Sequence, residues 1–433
     1  MNLRKTALSL LREWEERRTY INISVNAATE GLPDRDRAFL VSLVYGTVER
    51  QLTLDYLIGA ISKRSPKEID PHLRDALRLG LYQLLYLSGV ADHAAVNEMV
   101  KLGRNAGERG FLNGVLRAAL RQKDDLPFPQ KEKNPDRYLS VVHSVPLWIV
   151  KRFRQDFGEE TEALLRAINE PKPLCLRTNT AKTDRDALLS RLREAGIAAR
   201  PTPSAPHGIL VDGPASPTGL PGFDEGDFWV QDEASQIATA ALDAKEGNLV
   251  LDLCACPGGK SFGAAADMKN QGRVVSYDLH PSKLPLITKS ARRLGLTAVT
   301  AAPHDATERI PEWEGRADRV ICDVPCSGLG VLGKKPDLRY REEEGILTLP
   351  LLQYSILENA ASYLKKGGIL VYSTCTLGRA ENQEIATRFV AEHPEFAPES
   401  FTVGNHTAQG GMLMLTPYRD GTDGFFIFRL RRL

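Results

Sequence analysis

Apolar residues recur every three to four positions through most of the first 122 residues, as in AFLVSLVYGTVERQLTLDYLIGAI and LRDALRLGLYQLLYL. That period predicts a run of amphipathic helices. Pro33-Asp34-Arg35-Asp36 predicts a helix start, with acids in the first turn. The opening run MNLRKTALSLLREWEERRTY scatters charge among its apolar positions, so it predicts another amphipathic helix rather than a signal peptide. Gly103, Gly107, Gly110 and Gly114 punctuate a further helical stretch. KDDLPFPQKEKNPDRYLSVVHSVP, rich in proline and charge, then predicts a linker.

Beyond it the period changes. WIVKRFRQDFGEETEALLRAI predicts helix, LCLRTNT a strand and TDRDALLSRLREAG a helix ending at Gly196; IAARPTP and GILV are strand-like again. This is a small α+β unit. From about Phe228 strands and helices alternate. NLVLDL, RVVSYDL, TAVTAA, RADRVICDV and ILVYSTC are strand-like, with helical stretches such as PSKLPLITKSARRLG and LPLLQYSILENAASYLKKGG between them. Val-, Ile- and Leu-rich strands alternating with helices predict an α/β fold with a doubly wound, mainly parallel sheet. MLMLTP, the turn RDGTDG and FFIFRL predict a closing hairpin that adds an antiparallel edge. The expected divisions are a helical domain over 1–123, a linker over 124–146, the α+β segment over 147–227 and the alternating domain over 228–433.

Composition adds limits. The 433 residues are 42% hydrophobic and 26% charged, the balance of a soluble protein with sizeable cores. No run approaches the length of a membrane span, so a cytoplasmic protein without a membrane partner is expected. Net charge is only +1, but residues 1–150 hold 22 basic against 18 acidic groups, and Lys101–Lys123 holds six basic residues and one acid. The asymmetry points weakly to a polyanion; a solvated helix face explains it equally well.

Five of the six cysteines, Cys254, Cys256, Cys322, Cys326 and Cys375, fall in the second half of the chain. In a reducing compartment this favours chemistry or packing over disulfides. The C-x-C and C-x-x-x-C spacings lack a histidine in a ligand pattern, so no metal site is expected.

In doubly wound sheets, ligands bind beyond the carboxyl ends of the strands. LVLDL runs into CACPGGKS, where Gly258 and Gly259 allow close backbone approach and open a helix. The turn is neither G-x-G-x-x-G nor a P-loop. Asp278 lies 20 residues after Gly258 at the end of the second strand, where an acid accepts ribose hydroxyls. Asp305 follows the third strand, within reach of an adenine amino group. A glycine turn and two acids without a pyrophosphate cradle suit S-adenosylmethionine better than a dinucleotide. Each aspartate taken alone is as well explained as a helix N-cap.

Cys326, in DVPCSGLG, follows the fourth strand, and Cys375 ends the fifth, in YSTC. One such thiol is ordinarily packing, and Cys322, Cys175, Cys254 and Cys256 default to that reading. Two thiols at neighbouring strand ends would share a cleft. A methyl donor beside thiols suits a weak carbon nucleophile such as cytosine carbon 5. A thiolate adds to carbon 6, carbon 5 takes the methyl group, and elimination restores the ring. The thiolate needs a nearby cation or helix N-terminus, with Lys260 the nearest charged candidate. Asp323 is placed to meet ring N3, and a second thiol to act as general base.

DLCACPGGKS, SYDLHPSKL, HDAT, DVPCSGLG and YSTCTL resemble, in order, the motifs of the NOL1/NOP2/Sun RNA cytosine-5 methyltransferases. PLCLRTNT and WVQDEAS resemble that family's two upstream motifs. DRAFLVSLVYGTVERQLTLDYLI and AVNEMVKLGRNAGERGFLNGVLRAAL are similar to NusB, an RNA-binding helical fold. The resemblance covers nearly the whole chain. It implies a Rossmann-like class I methyltransferase domain behind an all-α NusB-like domain and a small α+β RNA-recognition segment. Such an arrangement belongs to a bacterial branch of the family acting on 16S rRNA, with S-adenosyl-L-methionine as cofactor. By the same resemblance Cys375 is the nucleophile and Cys326 assists release. Cys254, Ala255, Cys256, Pro257, Gly258, Gly259 and Lys260 line the cofactor, together with Asp278, Lys283, Asp305 and Asp323. Relatives usually carry alanine at the positions of Cys256 and Val324, and glycine at that of His304.

RNA contacts are expected from Arg35 and Arg37, from Lys101, Arg104, Arg109 and Arg117, and from Arg177 in the upstream motif. Small-subunit rRNA is the expected partner, DNA is not, and the chain is expected to be a monomer. Two other readings stay open: an RNA-binding assembly or antitermination factor with an inactive methyltransferase domain, and the same chemistry on tRNA. DNA enzymes of this chemistry use the Pro-Cys thiol as nucleophile and need no second one.

Overall fold

The structure, a computed structural model, describes residues 2–17, 21–213 and 215–433. Met1 and residues 18–20 of the expected first helix lie outside the described residues. The chain forms two compact units. One runs up to Asn169 and also takes in Leu332–Arg341; the other comprises Glu170–Val331 and Glu342–Leu433.

The first unit is helical: α1 (Leu3–Arg17), α2 (Ile21–Thr29), α3 (Asp34–Glu49), α4 (Gln51–Ser62), α5 (Pro71–Tyr86), α6 (Asp92–Val100), α7 (Ala106–Arg121), α8 (Pro135–His143), α9 (Leu147–Phe157) and α10 (Thr161–Ile168). The period of three to four puts Leu40, Leu43, Leu54, Leu57, Leu77 and Leu116 into one core. The helix starts are chemically marked. Asp70 accepts from the His72 and Leu73 amides ahead of α5, and Asn105 caps α7. Residues 124–146, expected as a linker, contain α8. Its start is encoded by Asn134, which caps it, and by Pro135 at the first helical position. α9 and α10 group with the helical unit as well.

Leu332–Arg341 completes this unit. Arg339 is fully buried, and its Nη1 donates to the carbonyls of Glu49 (3.2 Å), His143 (3.2 Å) and Ser144 (3.1 Å). Its Nη2 donates to Asn169 Oδ1 at 2.6 Å. One guanidinium thereby meets carbonyls at the carboxyl ends of α3 and α8, which have no partner within their own helices. Tyr340 hydroxyl donates to the Val48 carbonyl at 2.7 Å, and its ring meets Trp14 edge-on.

The second unit carries two main sheets. The smaller contains β1 (Leu174–Thr178), β2 (Ala199–Pro201), β3 (Gly208–Val211) and β4 (Phe228–Val230), antiparallel in the order β2-β3-β1-β4, with α11 (Arg185–Glu194) packed on it. Phe228, expected to open the alternating domain, lies in this sheet, because β4 pairs with β1.

The larger sheet is built from β5 (Leu249–Asp252), β6 (Arg273–Asp278), β7 (Val299–Pro303), β8 (Ala317–Asp323), β9 (Leu364–Thr374) and β10 (Phe396–Pro398). A two-stranded pair, β11 (Phe401–Val403) and β12 (His406–Ala408), stands apart, and β13 (Met412–Leu415) and β14 (Phe425–Arg432) complete the large sheet. Its order is β10-β14-β9-β8-β5-β6-β7, with β13 also on β14. β7, β6, β5, β8 and β9 are parallel; β14 runs antiparallel to β9, β10 and β13. The mainly parallel doubly wound sheet and its antiparallel edge match the sequence reading.

Successive strand residues face opposite sides. Val250, Ile321 and Val371 face α12 (Glu233–Ala241), α13 (Gly259–Asp267) and α14 (Leu284–Leu294). Leu251, Cys322 and Tyr372 face α15 (Leu349–Ser362) and α16 (Gln383–Glu392). A short helix, α17 (Pro417–Asp420), lies between β13 and β14. Among the described residues no helix is long and apolar enough to cross a membrane.

Candidate active site

The chain goes from β5 to β6 and β7 on one side, then returns to β8 on the other. The carboxyl ends of β5 and β8 are therefore the switch point at which such sheets bind ligands. The turn leaving β5 is tied to β6 where the Ala255 amide donates to the Tyr277 carbonyl at 2.8 Å. Gly258 has φ +108°, and a Cβ there would stand 2.4 Å from the Phe262 ring. Only glycine fits, and the backbone is left open at the start of α13. Beneath the turn Asp252 is buried and accepts from Ser261 Oγ at 2.6 Å. Burial pushes its pKa up to about 6.

Asp278 ends β6 and fixes the loops on both sides of it. It accepts from the Cys256 amide (3.3 Å) and the His280 amide (3.0 Å). Asp305 accepts through Oδ1 from the Thr307 amide (2.9 Å) and hydroxyl (2.7 Å), which hold its carboxyl below the usual carboxylate range. These groups converge. A cleft of about 320 Å³ is lined by Cys254, Cys256, Asp278, Lys283, Asp305 and Asp323, with Leu352 and Ile356 as an apolar wall. Three carboxylates line the cleft against Lys283, with Lys260 paired to Asp323; the acid excess disfavours a pyrophosphate and suits a cationic nucleoside. Together with the side-chain-free turn at Gly258, this lining fits S-adenosylmethionine. Asp278 would take the ribose hydroxyls, Asp305 the adenine amino group and the leucine–isoleucine wall the ring.

β8 and β9 are parallel neighbours with Asp323 opposite Ser373. Cys326 and Cys375 follow these residues by three and two positions and meet with Sγ–Sγ at 3.3 Å. Both are half-buried. The hydrogen bond to Cys375, with burial, holds the Cys326 thiol well above its ordinary pKa. Either sulfur can donate in this contact.

Asp323 joins this pair to the cofactor cleft. Its Oδ2 pairs with Lys260 Nζ at 2.5 Å, and its Oδ1 accepts from Ser373 Oγ at 2.9 Å. Lys260, at the start of α13, is buried, and its Nζ stands 5.1 Å from the centre of the Phe425 ring. The cation expected beside a thiol is thus held by Asp323. Cys322 is buried in the core, as expected, and burial raises the thiol pKa of Cys254 and Cys256.

Most of the basic residues expected to meet RNA are on the surface of the helical unit. Arg35 and Arg109 are exposed, and Arg37 is half-buried on α3. Lys101 pairs with Glu98, Arg104 with Glu108 and Asp70, and Arg117 Nε donates to Asn113. Arg177 corrects the expectation. It is 2% exposed, gives Nη2 to both oxygens of Asp267 at 2.7 and 2.9 Å, and lies over the Trp229 ring. It locks β1 to α13 and is inaccessible to RNA.

The sequence reading misses Ser373, Phe425, Leu352 and Ile356. Ser373 sits inside the YSTC motif, two residues before Cys375 and so on the same face of the strand, and is the one that motif spacing could find.

The sequence matches the family described as 16S rRNA methyltransferase RsmB/F over residues 239–431. It matches the NusB family over 1–121 and the ferredoxin-like domain of RsmF/B-like methyltransferases over 145–218. It is 37% identical to the probable ribosomal RNA small subunit methyltransferase B of Bacillus subtilis (strain 168), covering 100% of this chain and 99% of that one. It is 36% identical to the probable protein of the same name from Synechocystis, with 100% of each chain covered. The crystal structure of PH0851 superposes with a TM-score of 0.83 at 26% identity, covering 100% of this chain and 98% of that one.

Proposed function

The chain belongs to the RsmB/F family of 16S rRNA methyltransferases, and we propose that it moves a methyl group from S-adenosylmethionine to carbon 5 of one cytosine in small-subunit rRNA, through a covalent bond between Cys375 and carbon 6. The observation that carries the atom specificity is the pair of thiols 3.3 Å apart beside the cofactor cleft. Transfer to an oxygen or nitrogen needs no thiol; transfer to a weakly nucleophilic ring carbon does.

The cofactor, when bound, supplies an electrophilic methyl group at the mouth of the cleft. Cys375 releases its thiol proton to solvent, its Sγ bonds to carbon 6, and the ring electrons make carbon 5 nucleophilic. Asp323, held by Lys260 and Ser373, is placed to hydrogen-bond the N3 edge and fix the ring. After transfer, carbon 5 carries both methyl and hydrogen. Cys326, by then a thiolate that has released its own proton to solvent, takes that proton, the carbon–sulfur bond breaks, and Cys375 leaves with the electron pair. The raised pKa of Cys326 makes it a thiol at rest and a strong base once deprotonated. A base inside structured RNA must be turned out of its stack to reach this site. Arg104, Arg109 and Arg117 carry part of the RNA affinity in this reading.

Mass mapping of 5-methylcytosine in 16S rRNA from cells with and without the gene tests the proposal. Loss of one such residue supports it. Loss of a methyl group on another atom, or on tRNA alone, overturns it.

A further inference from the structure

One buried acid lies behind both thiols. Glu381 is 3% exposed, in the turn between β9 and α16. Its Oε1 accepts from Ser327 Oγ at 2.6 Å, and its Oε2 accepts from the Ser327 amide and from Gln353 Nε2, both at 2.9 Å. Gln353 also donates to the Pro325 carbonyl at 2.9 Å, so the residues on both sides of Cys326 are held by one network. Ser327 Oγ lies 2.7 Å from Thr376 Oγ1, and Thr376 directly follows Cys375. Asn382, next to Glu381, accepts from Thr374 Oγ1 at 2.6 Å and donates to the Thr376 carbonyl at 3.0 Å. The Glu381 carbonyl itself accepts from Tyr372 hydroxyl at 2.6 Å. The residues that follow the two cysteines are thus joined to each other, and the joint is anchored on one acid.

We propose that Glu381 is a positioning residue for both thiols, tying the Cys326 loop to the Cys375 loop through Ser327 and so fixing the approach of the two sulfurs. The inference rests on the roles given above to Cys375 and Cys326. Glu381 does not line the cofactor cleft, so its effect falls on the thiol pair and not on cofactor binding. A buried acid that accepted three hydrogen bonds merely to stabilise the fold would not alter how adduct formation and release divide. A positioning acid would, because the two steps use different sulfurs.

The test replaces Glu381 by Gln in the full-length chain, which puts an amide donor where an acceptor is needed. Two measurements are made. The first needs no RNA and no cofactor: the rate at which the oxidant diamide joins Cys326 to Cys375, mapped by peptide mass. Diamide takes the two electrons and two protons that the thiols lose. The rate should fall about tenfold or more, since bridging demands a narrow sulfur geometry. The second is methyl transfer. Here kcat should fall on the order of a hundredfold with KM for S-adenosylmethionine unchanged, and a larger share of RNA should remain bound as adduct. Bridging at the wild-type rate with an unchanged adduct share overturns the proposal. If Glu381→Gln does not fold, Ser327→Ala removes the hydroxyl link alone; slower bridging supports the proposal and an unchanged rate overturns it. Slower bridging in a protein whose wild type methylates no cytosine would sink the proposed function and leave the positioning role standing.

Discussion

Cys326 Sγ stands 3.3 Å from Cys375 Sγ, although 49 residues separate the two in the chain. The parallel pairing of β8 and β9 brings them together, and the pair allows a division of labour that either thiol alone would not. Cys375→Ala should abolish both methyl transfer and the RNA adduct. Cys326→Ala should retain adduct formation and fail at release, giving a protein–RNA species that survives a denaturing gel. An adduct trapped by the Cys375 variant would exchange the two roles.

Lys260 and Asp323 form a second pair, which the proposed mechanism assigns to orienting the target base. Lys260→Met keeps the bulk of the side chain and removes its charge, leaving Asp323 held by Ser373 alone. Single-turnover methyl transfer should slow on the order of a hundredfold, because the acid proposed to meet the base loses its fixed orientation. An unchanged rate would remove Lys260 from the reaction.

Asp252 makes stability depend on pH. Its pKa rises from 3.8 to about 6 through burial, so the folded chain holds this proton more tightly than the unfolded one. The contribution is complete below the unfolded pKa and is lost as pH rises through about 6, a decline of about 3 kcal/mol. Asp252→Asn should remove that part of the slope. Urea unfolding of both proteins at pH 4.5 and 7.5 measures it: the variant should gain on the wild type as pH rises. Parallel pH dependences would refute the assignment.

Arg339→Ala should destabilise the helical unit by about 3 kcal/mol, since it takes this donor from the Glu49 and Ser144 carbonyls and from Asn169 Oδ1, while the His143 carbonyl keeps Asn169 Nδ2. Thermal melting followed by circular dichroism at 222 nm would report the loss. Activity should fall only as far as the folded fraction does at the assay temperature.

Arginines on and beside α7 should separate cleanly from Arg177. Replacing Arg104, Arg109 and Arg117 by Gln should weaken RNA binding and flatten its dependence on salt, by somewhat less than one unit of slope for each phosphate no longer neutralised. Arg177→Ala should leave the salt slope unchanged and lower the melting temperature, because it strips Asp267 of its partner. An unchanged slope in the triple variant would move the RNA surface off α7.

Much of the fold and the site is legible in the sequence because it depends on chain-local pattern. Strand ends place chemistry in doubly wound sheets, and Asp278, Asp305, Asp323, Cys326 and Cys375 each close or follow a strand. What escapes depends on which neighbour a side chain meets. β1 is buried on both faces, so alternation gives Arg177 no outward side, and its partner Asp267 is 90 residues away. Glu381 lies in GRAENQE, a string with the composition of a surface loop; Ser327 and Gln353, 54 and 28 residues earlier, make it an interior acid. For α8 the signal is present, since Asn134-Pro135 marks a helix start, but the charge and prolines around it dominate the pattern.

The detour of Leu332–Arg341 has a consequence for the order of events at the ribosome. Synthesis is vectorial, and amino-terminal domains ordinarily fold while the rest of the chain is still being made. Here the amino-terminal unit stays incomplete until Arg339 and Tyr340 emerge, after β5, β6, β7 and β8 of the large sheet have already been made. The earliest domain to be translated is among the last to be finished, and a chain released before residue 332 would contain α1 to α10 yet lack the residues that close the unit.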